Sequence, residues 1–396
     1  MTGSLREVVS LGGARTPIGR FQGALSSVPA TRLGALAARA AMERAAIESS
    51  SVDEVIFGNV ISAGVGQAPA RQAALGAGLP ESASATTVNK VCASGLEAIN
   101  LGARSILFGD ARVVVAGGME SMSQAPHLLK GAREGLRLGN AELIDSVVHD
   151  GLWCAFEHQH MGTAAEAIAE RHGIGRGEMD EFALASHQKA LAAAAEGRFD
   201  DEIVAVEVSG RKGSTLVARD ESPRADSSLE ALARLRPAFV PTGCVTAGNA
   251  PGLTDGAAAV VLASQRAADE AGVRPLARLI GYATVGVSPK SLFEAPVAAI
   301  RKLLQNTGTQ LSDWDLLEVN EAFAAQVLAN GKTLDWDWSR LNVNGGAIAL
   351  GHPIGATGTR IVVTLINALR QRGQQRGIAA LCHGGGGAVA MGVEIV

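Results

Sequence analysis

The sequence predicts an α/β protein of two similar halves, its strands mostly parallel and covered by helices on both faces. Three observations lead there. The composition is rich in alanine and glycine, with 48 glycines, 47% hydrophobic residues and only 4% aromatics among 396 residues. At about 150 residues per domain this length suggests two or three domains. Strand-like and helix-like stretches alternate over most of the chain. Finally, the pattern around Val88-Asn89 and Cys92 recurs around Val343-Asn344 and His352.

Taken in order, residues 7–11 read as a strand and 12–23 as a Gly/Pro loop. Residues 31–47 form an Ala-rich helix with Thr31 as its N-cap. A strand over 52–61, broken by Gly58, precedes a helix over 69–77. In 86–100, TTVNKVCASGLEAIN, β-branched residues give way to helix formers, which places Cys92 near a helix's first turn. Free N–H groups and the positive end of a helix dipole lower a thiol pKa there and make Cys92 a candidate nucleophile. A small buried hydrophobe is the alternative, and this stretch alone leaves both open. The run 113–116 reads as a buried strand ending in a turn at Gly117-Gly118.

From 121 to 251 charges increase, six histidines cluster and strand-like runs shorten, so an inserted domain is expected. It holds helices over 161–172 and 179–196 and a mixed-charge segment with Arg211, Lys212, Arg219, Arg224, Arg234 and Arg236. That segment is either a solvated face or a seat for a phosphate-bearing ligand. The α/β pattern resumes near Leu253. After His352 come a helix over 359–370, a basic turn, a strand over 378–381 and glycines from 384. The repeat places Cys92 and His352 at equivalent strand-to-helix turns, able to face one another across a cleft.

A net charge of -4 and few aromatics argue against a nucleic-acid binder. Four widely spaced cysteines, Cys92, Cys154, Cys244 and Cys382, suggest neither a disulfide framework nor a zinc site. No apolar run is long enough for a membrane span, and the N-terminus lacks a secretory h-region. A soluble protein in the reducing cytoplasm is the expectation.

The motifs VNKVCASG (88–95), GGMESMS (117–123), HMGTAAE (160–166), VTAGNAPG (245–252), NEAFA (320–324), NGGAIALGHPIGATG (344–358) and CHGGGG (382–387) resemble those of the thiolases over essentially the whole chain. The likeness is greatest to their short-chain, acetyl-CoA-condensing branch. The resemblance implies the thiolase fold: two similar α/β halves with mixed sheets packed in αβαβα layers, plus an inserted loop domain. The implied divisions are an N-terminal domain at 1–121 and 254–275, a loop domain at 122–253 for CoA binding and oligomerisation, and a C-terminal domain at 276–396.

The resemblance also implies a reaction: reversible condensation of two acetyl-CoA to acetoacetyl-CoA and CoA, by ping-pong chemistry through an acyl-Cys92 intermediate, with no metal or redox cofactor. Cys92 matches the nucleophile. His352 matches the histidine that takes the Cys92 proton and then, with a water held by Asn320, binds the enolate oxygen. Cys382 matches the thiol that shuttles the α-carbon proton, and the Cys92 and Gly384 N–H groups match an oxyanion hole. His160 and Met161 match the pair closing the acyl pocket. Leu152, Arg224, Phe239, Ala247 and Leu292 match the lining of the CoA channel, with Arg224 at its nucleotide end. Asn320 alternatively caps a helix beginning at Glu321, and His352 is alternatively a loop residue capping a carbonyl.

The sequence departs from the family pattern at Pro251, Ala231, 292–296, His383 and Gly387, which bears on CoA contacts and chain-length preference. A homotetramer in fatty-acid metabolism is the implied setting. The alternatives are a 3-ketoacyl-CoA thiolase for longer chains and a non-catalytic acyl-CoA binding protein.

Overall fold

The computed structural model describes residues 7–211 and 213–396; Lys212 lies outside the described residues. The N-terminal half contributes strands β1 (Val8–Arg15), β2 (Glu54–Gly58), β3 (Ser84–Val88), β4 (Val113–Ser121) and β5 (Thr254–Ser264). The C-terminal half contributes β6 (Ala277–Gly286), β7 (Leu316–Val319), β8 (Arg376–His383) and β9 (Gly387–Ile395). The strand order is β7-β8-β9-β6-β1-β5-β4-β2-β3, with the short pair Gly19–Arg20 added to β5. β1 meets β6 through only two residue pairs, Val9 with Arg278 and Ser10 with Ala277, so the sheets of the two halves join only at this narrow seam.

The sheets are mixed, which corrects the mostly parallel arrangement inferred from alternation. β2 is parallel to both neighbours and β7 is parallel to β8, whereas β1, β5, β6 and β9 pair antiparallel. The alternation failed as a guide because hairpin-like returns such as β8 to β9 need only a short glycine turn and no helix.

Helices build the remaining layers. α1 (Ala30–Ala45) and α2 (Pro69–Ala77) cover the outer face of the N-terminal sheet. α1 buries Leu33, Ala37 and Ala41 on one stripe, the spacing an amphipathic helix requires. Pro29 precedes it without a side-chain cap bond, so the expected Thr31 cap is not formed; Thr31 lies inside the helix. Between the sheets lie α3 (Ser94–Phe108) and α8 (Ile354–Arg372), packed on one another. Every residue of α8 from Ile354 to Leu369 is buried, as befits a helix with a sheet on each side. α6 (Ala295–Thr307) and α7 (Ala324–Leu334) close the outer face of the C-terminal half.

β4 does not end at Gly117-Gly118 as the sequence suggested; it runs through both to Ser121. These glycines mark close packing rather than a turn, Gly117 against Ala258 and Phe57 of its own half and Gly118 against the other half. A Cβ on Gly118 would fall inside the Gly355 carbonyl oxygen, and one on Gly58 would lie 2.7 Å from that same oxygen. β1 likewise extends through the predicted loop to Arg15, because the glycines there let α1 pack on the strand: a Cβ on Gly12 would meet Ala45 N at 2.6 Å.

Residues 122–253 lead from β4 to β5, which pair directly. They hold α4 (Met161–Arg171) and α5 (Arg176–Ala195). Buried Arg15 ties this segment to the sheet, its Nε 2.6 Å from Glu202 and its Nη1 and Nη2 2.7 and 2.9 Å from Asp220. No helix of the described residues is long and apolar enough to cross a membrane.

Candidate active site

The turn between β3 and α3 is built to present one side chain. Asn89 Oδ1 accepts the Val91 N–H at 3.0 Å, Ser94 Oγ accepts the Lys90 N–H at 2.8 Å, and the Ser94 hydroxyl donates to Val91 O at 2.6 Å. These bonds hold Val91 at φ 48°, a conformation that strains a β-branched residue by about 1–3 kcal/mol. The next residue is Cys92. The backbone N–H groups of Gly384 and of Cys92 itself favour the charged form of its sulfur.

Those donors and the helix start do not lower the thiol pKa, contrary to the sequence-based expectation. Burial pushes it up to about 11, and nearby Glu120 adds to the rise. Desolvation outweighs the backbone donors, so the resting group is a thiol that needs a base.

His352 follows Gly351, whose φ is 108°, and stands at the entrance to α8. Its Nδ1 lies 2.7 Å from Thr357 Oγ1, while the Thr357 hydroxyl donates to Pro353 O at 2.9 Å. The hydroxyl proton is thus engaged, and Nδ1 carries the proton donated to Thr357. Nε2 carries the lone pair and accepts a long hydrogen bond from Asn320 Nδ2 at 3.5 Å. Burial, with Arg360 adding to it, pulls the imidazole down to about 3. A neutral base of defined tautomer results. Sequence reasoning did not identify Thr357; a hydroxyl residue five positions after a loop histidine was the available clue.

Asn320 follows β7, its N–H bonded to Ala380 O at 2.9 Å. It does not cap a helix at Glu321, since α7 begins at Ala324. Its buried Oδ1 has no partner. Cys382 is the next-to-last residue of β8, buried, with a thiol raised well above the ordinary range by burial and by neighbouring Cys92. The Gly385 and Gly386 φ values of 86° and 91° then turn the chain into β9.

Cys92, His352, Cys382, His383 and Gly384 line one cavity of about 400 Å3 together with Leu152, His160, Met161, Phe239, Ala247 and Leu292. His160 caps α4, its Nδ1 accepting the Gly162 N–H at 3.0 Å, and its ring stacks on Phe239 at 4.8 Å. Phe239 meets Phe323 edge-on at 6.3 Å, and Phe323 meets Phe293 at 5.4 Å. This apolar wall narrows the cavity; Phe323 and Phe293 were not singled out in the sequence, although Phe323 lies in the NEAFA motif.

Arg224 is not beside the thiols. It lines a second cavity of about 410 Å3 with Arg20, His187 and Ala231, and this cavity shares Ala247, Ala250, Gly252 and Leu253 with the first. Burial, with Arg224 and Arg20 adding to it and Asp226 opposing, pulls His187 down to about 4, so the outer site carries two guanidiniums against one carboxylate. Such a site suits a phosphate.

A layered α/β fold with two thiols, a neutral imidazole and backbone donors around one largely apolar cavity defines an acyltransferase. The chain belongs to the thiolase family: the thiolase N-terminal domain matches residues 8–266 and the thiolase C-terminal domain residues 273–395. It is 53% identical over 388 residues to an acetyl-CoA acetyltransferase of Pseudomonas aeruginosa, covering 98% of this chain and 99% of that one. An acetyl-CoA acetyltransferase of Cupriavidus necator is 50% identical over 391 residues, covering 98% of this chain and all of its own. The crystal structure of the Bacillus anthracis acetyl-CoA acetyltransferase superposes with a TM-score of 0.98 at 46% identity, with both chains covered completely.

Proposed function

We propose that this protein is an acetyl-CoA C-acetyltransferase that condenses two acetyl-CoA to acetoacetyl-CoA and CoA, reversibly, through an acetyl-Cys92 intermediate. The convergence of Cys92, His352, Cys382 and Gly384 on one cavity carries this reading. His352 Nε2 takes the Cys92 proton, and the sulfur attacks the thioester carbon. The carbonyl oxygen takes the negative charge toward the Cys92 and Gly384 N–H groups. CoA leaves as a thiolate and receives the Cys382 proton.

A second acetyl-CoA then loses its α-proton to the Cys382 thiolate, a strong base because burial disfavours its charge. The enolate oxygen is held by the His352 imidazolium and the Asn320 side. The carbon attacks the acetyl group, the bond to Cys92 breaks, and His352 returns its proton to Cys92. Protons and charge balance with no further reagent.

The His160–Phe239 stack and Met161 favour a short acyl group. Arg224 and Arg20 suit the nucleotide end of CoA. The 122–253 segment supplies these contacts except Arg20, which comes from the N-terminal half, and a dimer of dimers is supported by the exposed apolar Phe108, Leu136, Leu138 and Leu143. Four free cysteines suit a cytoplasmic setting. Mixing with acetyl-CoA followed by intact-mass analysis should give an acetyl adduct that Cys92→Ser lacks. Thiolysis should be fastest with acetoacetyl-CoA; preference for long 3-ketoacyl-CoA would defeat the short-chain reading, and tight binding without adduct or turnover would defeat catalysis.

A further inference from the structure

Outside the reacting groups, one buried side chain is bonded as though the site depended on it. Glu120, near the end of β4, is fully buried and takes part in none of the ion pairs among the described residues. Four donors surround its carboxylate. Asn59 Nδ2 donates to Oε1 at 2.9 Å and the Ile61 N–H to Oε1 at 3.2 Å. The Val60 N–H donates to Oε2 at 3.2 Å and the Gly355 N–H to Oε2 at 2.8 Å. A group bonded by four donors has no acceptor for a proton of its own, so this geometry suits the anion.

The partners show what the anion holds. Asn59, Val60 and Ile61 follow β2 in the half that carries Cys92. Gly355 is in the first turn of α8, three residues after His352. The carboxylate therefore bridges the nucleophile's half to the helix whose entrance presents the imidazole.

We propose that Glu120 is a positioning residue for His352: its ionised carboxylate clamps the start of α8 to the Asn59–Ile61 segment and so sets the imidazole against Cys92. This rests on the acyltransferase reading of the site. Burial pushes Glu120 up to about 7 against the pull of its backbone donors, and Asp255 adds to the rise. The groups facing it are Asp255 on β5 and the Cys92 thiol before α3. The Asn59–Ile61 segment offers no ionisable side chain; α8 offers His352 at its entrance and, further along, Arg360, which is engaged by Glu318. The clamp weakens as pH falls through neutrality, because a neutral carboxyl turns a hydroxyl toward N–H donors.

The test is kcat and KM for acetoacetyl-CoA thiolysis from pH 5.5 to 9.5 on the full chain, comparing wild type, Glu120→Gln, Glu120→Asp and Asn59→Ala. Wild-type kcat should fall on an acidic limb near neutrality. Glu120→Gln should lose about tenfold or more in kcat, keep KM within about twofold, and lack that limb. Glu120→Asp should recover part of kcat and retain the limb. Asn59→Ala removes one donor to the anion, so its limb should move to higher pH; this variant serves if Glu120→Gln does not fold. Wild-type kcat in Glu120→Gln, an unchanged limb in that variant, or an unmoved limb in Asn59→Ala overturns the proposal. Absence of thiolysis by wild type at every pH would instead overturn the acyltransferase reading.

Discussion

The two halves share a fold and differ in what they place at matching positions. Gly58 of β2 sits across from Gly118 of β4, and Val319 of β7 across from Ala380 of β8. Counting on from these pairs, Asn59 corresponds to Asn320 and Glu120 to Cys382. Gly95 and Gly358 abut where α3 and α8 cross, a Cβ on Gly358 reaching within 3.1 Å of Gly95 C, so Cys92 corresponds to Gly355. One site is thus a caged carboxylate with a backbone donor from Gly355; its mate is a thiol pair opening on a cavity. Chemistry occupies the copy with space around it, and the filled copy braces it.

Exchanging matched residues sharpens that contrast. Cys92→Ala should lower thiolysis at least about 10⁴-fold and abolish the acetyl adduct, with the melting temperature nearly unchanged. Its mate, Gly355→Ala, places a Cβ 2.7 Å from Met119 O and should instead destabilise by about 1–3 kcal/mol, read in denaturant melts. Equal activity and stability losses in the two variants would break the comparison. Next, Cys382→Ala should cut condensation by about 10²–10⁴-fold while Cys92 still becomes acetylated, as mass analysis of the trapped protein would show.

The halves should also pull stability in opposite directions with pH. Glu120 has a folded pKa of about 7, above its ordinary 4.5. Ionising this buried group costs stability, a cost absent below about 4.5 and complete once pH has risen through 7, so the charged clamp that positions His352 is held at the expense of overall stability. His352 has a folded pKa of about 3, below its ordinary 6.5, so its contribution is present above 6.5 and is lost as pH falls toward 3. Melting temperatures across pH should lose the first trend in Glu120→Gln and the second in His352→Asn. The smallest effect is expected from Thr357→Val, which removes the acceptor for His352 Nδ1–H: about a tenfold loss in kcat with KM little changed.

Much of this was legible in the sequence where local chemistry decides. The helix at Pro69–Ala77, with proline at its start, matches the sequence reading residue for residue. The turn at Cys92 and the repeat were visible too, although His352 stands three residues before the true counterpart of Cys92. What local pattern could not show was contact between distant segments. Gly117 and Gly118 read as a turn because what arrives against them is distant in sequence: Ala258 O and the Phe57 ring at Gly117, and Gly355, more than two hundred residues away, at Gly118. The thiol pKa was misjudged for the same reason: a helix start is local, whereas burial comes from the whole fold. Glu120 and Thr357 went unnoticed because an isolated carboxylate or hydroxyl carries no pattern until its partners are seen.

The close approach of Gly58 and Gly118 to the Gly355 carbonyl has a last consequence. Two bodies meeting main chain to main chain have no room to slide or hinge, so this enzyme cannot exclude solvent by clamshell motion. The stopper has to arrive with the cargo: the slender arm behind the acyl group fills the apolar passage and drives water out ahead of it. Free and loaded forms should then superpose almost atom for atom, and a truncated thioester lacking that arm should react slowly even when supplied at saturating concentration.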